Sequence, residues 1–149
     1  MRFACYQPEI AGNMGAILRL AACFAVPVDV IEPCGFVFSD ARMRRAGMDY
    51  AQHVPIVRHV DWAAFRAAYA GRIVLLTTKA TTRLPDFAFR GDDILLMGSE
   101  SAGVPADVAS ACEAAVRIPI AAPVRSLNIA VATGIALAEA LRQTGGLPE

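Results

Sequence analysis

Short apolar runs ending near glycine or proline, with residues at helical spacing between them, recur along this chain and confine it to one fold class. Residues 3–6, 28–31, 73–78, 94–97 and 116–120 are too short for helices and too continuously apolar for strands with one wet face. Between them, Asn13 is placed to cap a helix carrying Ile17, Leu20, Ala21 and Phe24 on one face. Asp61 caps a helix over 62–70 that Gly71 ends, and Pro105 suits the first turn of a helix reaching about Cys112. Ser39 is placed to cap a short basic helix that Gly47 ends. Residues 54–60 are weakly strand-like despite Pro55, and residues 79–91 read as loop. The pattern predicts one α/β domain spanning residues 1–149, with a mostly parallel sheet flanked by helices. It does not contain the strand order.

The last helix, starting after Asn128 and reaching about Gln143, is apolar almost all round. In a chain of 149 residues that is 56% hydrophobic, with mean hydropathy +0.44, one sheet covers only part of such a helix. A homodimer through this helix is therefore expected. Fourteen basic residues balance fourteen acidic ones, so any nucleic-acid contact must come from a local cluster. Cys5, Cys23, Cys34 and Cys112 are scattered, with no histidine at ligand spacing, and read as reduced packing residues with no metal site. The N-terminus lacks a signal-peptide pattern, and the longest apolar run falls far below the ~18 residues that span a bilayer. A cytoplasmic protein without membrane contact is the expectation.

In open parallel sheets, ligands bind beyond the carboxyl ends of the strands. Three loops there carry polar residues that packing does not explain: 12–19, 98–103 and 121–128. Gly12 and Gly15, with Glu32 standing 20 residues beyond Gly12, partly fit a dinucleotide site, but the third glycine is missing. Ser101 lies in a near match to the nucleophile turn of serine hydrolases, yet His53 and His59 both precede it, against that fold's order. No Walker A pattern is present.

Taken together, six blocks in order carry a resemblance. They are P-E-I-A-G-N-M-G-A-I-L-R, I-E-P-C-G-F, R-R-A-G-M-D-Y, L-T-T-K, M-G-S-E-S-A-G-V-P and I-P-I-A-A-P-V-R-S-L-N. This set resembles the SPOUT superfamily of RNA methyltransferases. Within it the set is most similar to the small single-domain enzymes that 2′-O-methylate the wobble cytidine or uridine of leucine tRNAs.

The resemblance implies a C-terminal deep trefoil knot and S-adenosylmethionine bound in its loops, giving S-adenosylhomocysteine as product. By matching motif, the cofactor neighbours would be Leu76, Thr77, Gly98, Ile118, Ser126 and Leu127. Arg19 would act in catalysis and substrate binding. A free guanidinium is a poor base, so clamping a tRNA phosphate and polarising the hydroxyl is the favoured role. Asn13 would combine helix cap and RNA contact; Glu100 would pair with Arg19 or complement the cationic cofactor; Asn128 would cap the last helix or orient the ribose. Arg42, Arg44, Arg45 and Arg125 would bind the anticodon stem-loop. Family members often carry polar residues at Ala16 and Ala130, an aromatic near Ala138 and a base within 99–102. Those departures keep a rival in view, a knotted RNA-binding protein with little catalysis.

Overall fold

The computed structural model describes residues 1–38 and 53–149; Ser39, Arg42, Arg44, Arg45 and Gly47 lie outside the described residues. The described elements are β1 (Arg2–Tyr6), α1 (Ala11–Phe24), β2 (Val28–Ile31), β3 (Ile56–His59), α2 (Trp62–Ala68), β4 (Ile73–Leu76), β5 (Ile94–Met97), α3 (Ala106–Ser110), β6 (Ala114–Val116) and α4 (Ile129–Thr144), with one 3-10 turn at Leu84–Asp86. Six strands form a single sheet in the order β3-β2-β1-β5-β4-β6, and every pairing is parallel. Chain order runs outward from β1 to β2 and β3, then resumes on the other side of β1. This reversal makes the β1/β5 boundary the topological switch point.

Alternation along the strands feeds two cores. On one face Phe3, Cys5, Val28, Val30, Val74, Leu95, Met97 and Val116 meet Met14, Ile17, Leu18 and Ala21 of α1 and Ala136, Leu137, Ala140 and Leu141 of α4. On the other, Ala4, Tyr6, Ile31, Leu75 and Leu96 meet Phe65 of α2 and Val108 of α3. Both faces are covered, which is why these strands read as unbroken apolar runs.

Several boundaries differ from expectation for local reasons. The last strand is Ala114–Val116, because Arg117 leaves the sheet: its N–H bonds to the Thr82 carbonyl at 3.0 Å and its carbonyl accepts the Leu84 N–H at 2.8 Å. That exchange also gives order to part of 79–91, where only loop was expected. α1 buries Met14, Ile17, Leu18 and Ala21, while Leu20 turns to the flank facing Gly134 of α4. Pro55 stands just ahead of edge strand β3, where the ladder has not yet begun to need its missing donor, and its carbonyl accepts the Val28 N–H at 2.9 Å. Asp61 caps α2 as expected, accepting from Ala64 N–H at 2.8 Å.

Asp29, in the middle of an apolar strand, is fully buried. Its Oδ2 accepts from Arg2 Nε at 2.6 Å, while Oδ1 lies 2.7 Å from His59 Nε2 and accepts from the Tyr69 hydroxyl at 3.0 Å. The Arg2 guanidinium stacks 3.9 Å from the Tyr69 ring centroid. One carboxylate thus ties β1, β2, β3 and the end of α2. Removing it strands three polar partners where little water reaches. Asp29→Ala is expected to cost about 3 kcal/mol in urea unfolding; a loss below ~1 kcal/mol would mean the cluster is not structural.

Candidate functional site: three loops at the sheet's switch point

The site begins where β1 ends. Gln7 takes φ of 45°, in the left-handed region, at a cost of about 1 kcal/mol. Its N–H is held by the Ile31 carbonyl at 2.8 Å, and the chain turns out of the sheet into residues 8–10. Across the switch point, Gly98 ends β5 and residues 99–103 form a closed turn. Ser99 and Gly103 exchange backbone bonds of 2.9 and 3.0 Å, and Gly103 has φ 71°. A Cβ on Gly98 would lie 2.6 Å from the Gly103 Cα and carbonyl carbon, so this glycine is required by backbone packed on backbone.

The two loops and the start of α4 meet through side chains. Glu100 accepts from the N–H groups of Glu9 at 2.8 Å and Ile10 at 3.2 Å, and from Asn13 Nδ2 at 3.2 Å. Asn128 Nδ2 donates to Asn13 Oδ1 at 3.0 Å, while Asn128 Oδ1 accepts from Ala130 and Val131 N–H at 2.9 and 3.3 Å. Three of the four expected catalytic residues therefore form one chain, carboxylate to amide to amide. This corrects the cap assigned to Asn13. α1 starts at Ala11 with Ile10 at its cap, and Glu100 reaches from another loop to the N–H groups of Glu9 and Ile10 just ahead of it. Asn128 does cap α4.

Arg19 is exposed on α1 and lines a groove of about 680 Å³ between α1 and α4, with Gly12, Ala16, Leu20, Ala130, Val131 and Ile135. None of the six expected cofactor residues lines that groove. Leu76 and Thr77 stand at the end of β4, Gly98 follows β5, Ile118 follows β6, and Ser126 and Leu127 lie just ahead of α4. Leu76 and Ile118 are half-buried against the core, and Thr77 donates its N–H to the Val116 carbonyl at 2.9 Å while its hydroxyl accepts from Lys79 N–H at 3.3 Å. Ser126 and Leu127 lie in a stretch, 121–128, that is exposed throughout, with Val124 61% and Leu127 38% exposed; Arg125 is exposed in the same stretch. Arg42, Arg44 and Arg45 lie outside the described residues.

The rival readings lose their geometry. Gly12 and Gly15 sit inside α1 rather than ahead of it, a Cβ on Gly12 would meet nothing, and Glu32 is paired with Arg58 Nε at 2.6 Å. The Ser101 hydroxyl donates to Glu9 at 2.6 Å, and His59 is buried against Asp29. The cysteines are free, but Cys23 is exposed on the groove and not a packing residue. Burial pushes the Cys34 and Cys112 thiols up to about 11, which keeps both protonated at neutral pH. Among the described residues no group of three or more His, Cys, Asp or Glu is placed to hold a metal ion, and no helix is long and apolar enough to cross a membrane.

Sequence reasoning missed Glu9 and Asp29. A carboxylate just before a helix was the available signal for Glu9, and an acid inside the V-D-V-I run was the signal for Asp29.

Fold and candidate site define a class: an α/β domain with a parallel sheet whose loops are hydrogen-bonded to one another at the switch point. Residues 1–138 match the SpoU rRNA Methylase family, and the chain belongs to it. It is 54% identical over 147 residues to the tRNA (cytidine(34)-2′-O)-methyltransferase of Beijerinckia indica, covering 97% of this chain and 92% of that one. A structure described as giving insights into 2′-OH methylation of C/U34 on tRNA superposes with a TM-score of 0.89 at 40% identity, over 95% of this chain and 94% of that one. An AdoMet-bound rRNA methyltransferase from Sinorhizobium meliloti gives 0.82 at 30% identity, over 95% of this chain and 55% of the longer one.

Gly98→Ala is expected to lower stability by roughly 1–3 kcal/mol and to open the 99–103 turn. Thermal unfolding and the amide exchange of Gly103 report it; wild-type values for both would show that the turn has room to yield.

Proposed function

We propose that this RNA 2′-O-methyltransferase modifies the ribose of the wobble pyrimidine in leucine tRNAs, acting as a cytoplasmic homodimer. The observation that carries the reading is the end-to-end likeness to proteins named for methylating cytidine 34, with Asn13, Glu100 and Asn128 joined at the switch point. Bound S-adenosylmethionine supplies a methyl group on a sulfonium, open to attack by a ribose 2′-hydroxyl. The protein's share is to hold that hydroxyl in line and to handle its proton.

Leu76, Thr77, Gly98, Ile118, Ser126 and Leu127 would hold the cofactor, by apolar walls and backbone groups. Arg19, exposed one side of α1 beyond Asn13, would clamp a tRNA phosphate and draw electron density from the hydroxyl. Proton acceptance would then depend on that phosphate, since the guanidinium stays charged. Asn13 would orient the ribose, its amide fixed by Glu100 on one side and Asn128 on the other. Arg42, Arg44, Arg45 and Arg125 would contact the anticodon stem-loop.

The knot belongs to this reading too. The loop 77–91 is tied at Leu84 to Arg117, where the C-terminal segment departs, and at Phe87 and Phe89 to Gln143, where that segment ends.

The second copy would cover the apolar α4 side of the α1/α4 groove, leaving its Arg19 side to the tRNA. Val131 and Ile135 line that groove and are 52% and 41% exposed on α4, an apolar face that a partner would shield from water. Sedimentation equilibrium at micromolar concentration is expected to give a dimer, and Ile135→Asp a monomer. A wild-type monomer would contradict the interface.

The function is tested with leucine tRNA transcripts bearing cytidine or uridine at the wobble position, using nucleoside mass spectrometry. Methylation there is expected, together with calorimetric binding of S-adenosylmethionine. Arg19→Ala should lower turnover by ~100-fold or more while cofactor affinity stays near wild type. A folded wild type that binds no S-adenosylmethionine would overturn the enzyme reading and favour a noncatalytic RNA-binding role. Methylation at another nucleotide would overturn the substrate assignment alone.

A further inference from the structure

At the switch point the loops after β1 and β5 hold each other with two carboxylates reaching in opposite directions. Glu100 reaches from the 99–103 turn to the Glu9 and Ile10 N–H groups and to Asn13. Glu9 reaches back: Oε2 accepts the Ser101 N–H at 2.7 Å and Oε1 accepts the Ser101 hydroxyl at 2.6 Å. Ser101 is the residue next to Glu100, so the second clamp fixes the backbone from which the first is aimed. Glu9 touches neither the cofactor residues nor Arg19 in the arrangement above.

We propose that Glu9 is a positioning residue for methyl transfer: by holding Ser101 it keeps Glu100 aimed at the start of α1, and thereby sets Asn13 and Arg19 relative to the cofactor-side loops. This rests on the methyltransferase reading. Five bonds cross between the loops, three to Glu100 and two to Glu9. Donors and acceptors match on both sides, and the turn so held sits on Gly98. A shift of about 1 Å between reacting groups costs on the order of 100-fold in rate, so a surface carboxylate contributes to turnover through alignment rather than through bulk stability. The Ser101 hydroxyl, and after it the Ser101 N–H, hold the Glu9 carboxyl below the usual glutamate range. The clamp is therefore complete above the ordinary glutamate pKa and is released only as pH falls through the lowered value.

Glutamine at this position keeps both contacts, its carbonyl accepting from Ser101 N–H and its amide donating to the Ser101 oxygen; alanine keeps neither. At saturating cofactor and tRNA, Glu9→Ala is expected to lower kcat by about 10- to 100-fold, with cofactor affinity unchanged within about threefold and the unfolding midpoint within a few degrees. Glu9→Gln should retain most of the activity, and Glu9→Ala combined with Ser101→Ala should be no worse than Glu9→Ala. Wild-type kcat in Glu9→Ala, failure of that variant to fold, or multiplying losses in the double variant would each overturn the proposal. Amide exchange supplies a readout independent of turnover: Glu9→Ala and Ser101→Ala should both speed exchange at Ile10, which neither side chain touches. Unchanged exchange at Ile10 overturns the coupling. Wild-type turnover is measured first; its absence would defeat the methyltransferase reading by itself, and exchange at Ile10 would still decide whether Glu9 couples the loops.

Discussion

Parallel pairing of β1 with β5 brings two loops side by side at the point where the strand order reverses, and their backbone donors then need acceptors. A parallel sheet cannot supply them beyond its last ladder bond. Glu9 and Glu100 meet this need from opposite sides, each serving the other's loop. The geometry of Asn13, Arg19 and Asn128 follows from that crossing: α1 is oriented by a carboxylate on a different loop, and α4 is tied to α1 through an amide pair. The functional residues are thus held by bonds between loops, above a sheet whose two cores fix how far apart those loops stand.

The two ends of the sheet use charge differently. Near the start of β2, Asp29 is buried and serves three partners, and that cluster fastens β1, β2, β3 and α2. At the carboxyl ends, carboxylates stay near solvent and grip backbone N–H groups and a serine. A buried pair broken on one side is costly, whereas exposed bonds contribute little stability and much orientation. The sheet therefore stands on a rigid base, with loops that can admit ligands.

Much of the fold was legible because one face pattern dominates. Continuous apolar runs at 28–31, 73–76 and 94–97 announced strands buried on both sides, and the Asp61 and Asn128 caps stood where local chemistry predicted. The misread parts were those set by distant partners. Asn13 looked like a cap because nothing nearby indicates that Glu100 serves the start of α1. The strand expected over 116–120 ended at Val116 because Thr82 and Leu84 draw Arg117 out of the sheet. Gly98, expected beside the cofactor, has a further reason to be glycine that no local pattern announces: the Gly103 backbone packs where a Cβ would stand.

By itself the sequence determined the class of domain, the positions of its strands and helices, the loops that carry chemistry, and the family to which those loops belong. The class and the elements follow from residue type and short-range spacing, which local physics reads directly; the family follows from the resemblance of six motif blocks. Only the tertiary structure decided the strand order, the switch point between β1 and β5, and the pairing of Glu9 with Ser101 and of Glu100 with Asn13. Such bonds join residues about ninety positions apart. Nothing in the local pattern specifies which distant donor will face which acceptor until the sheet has brought them together.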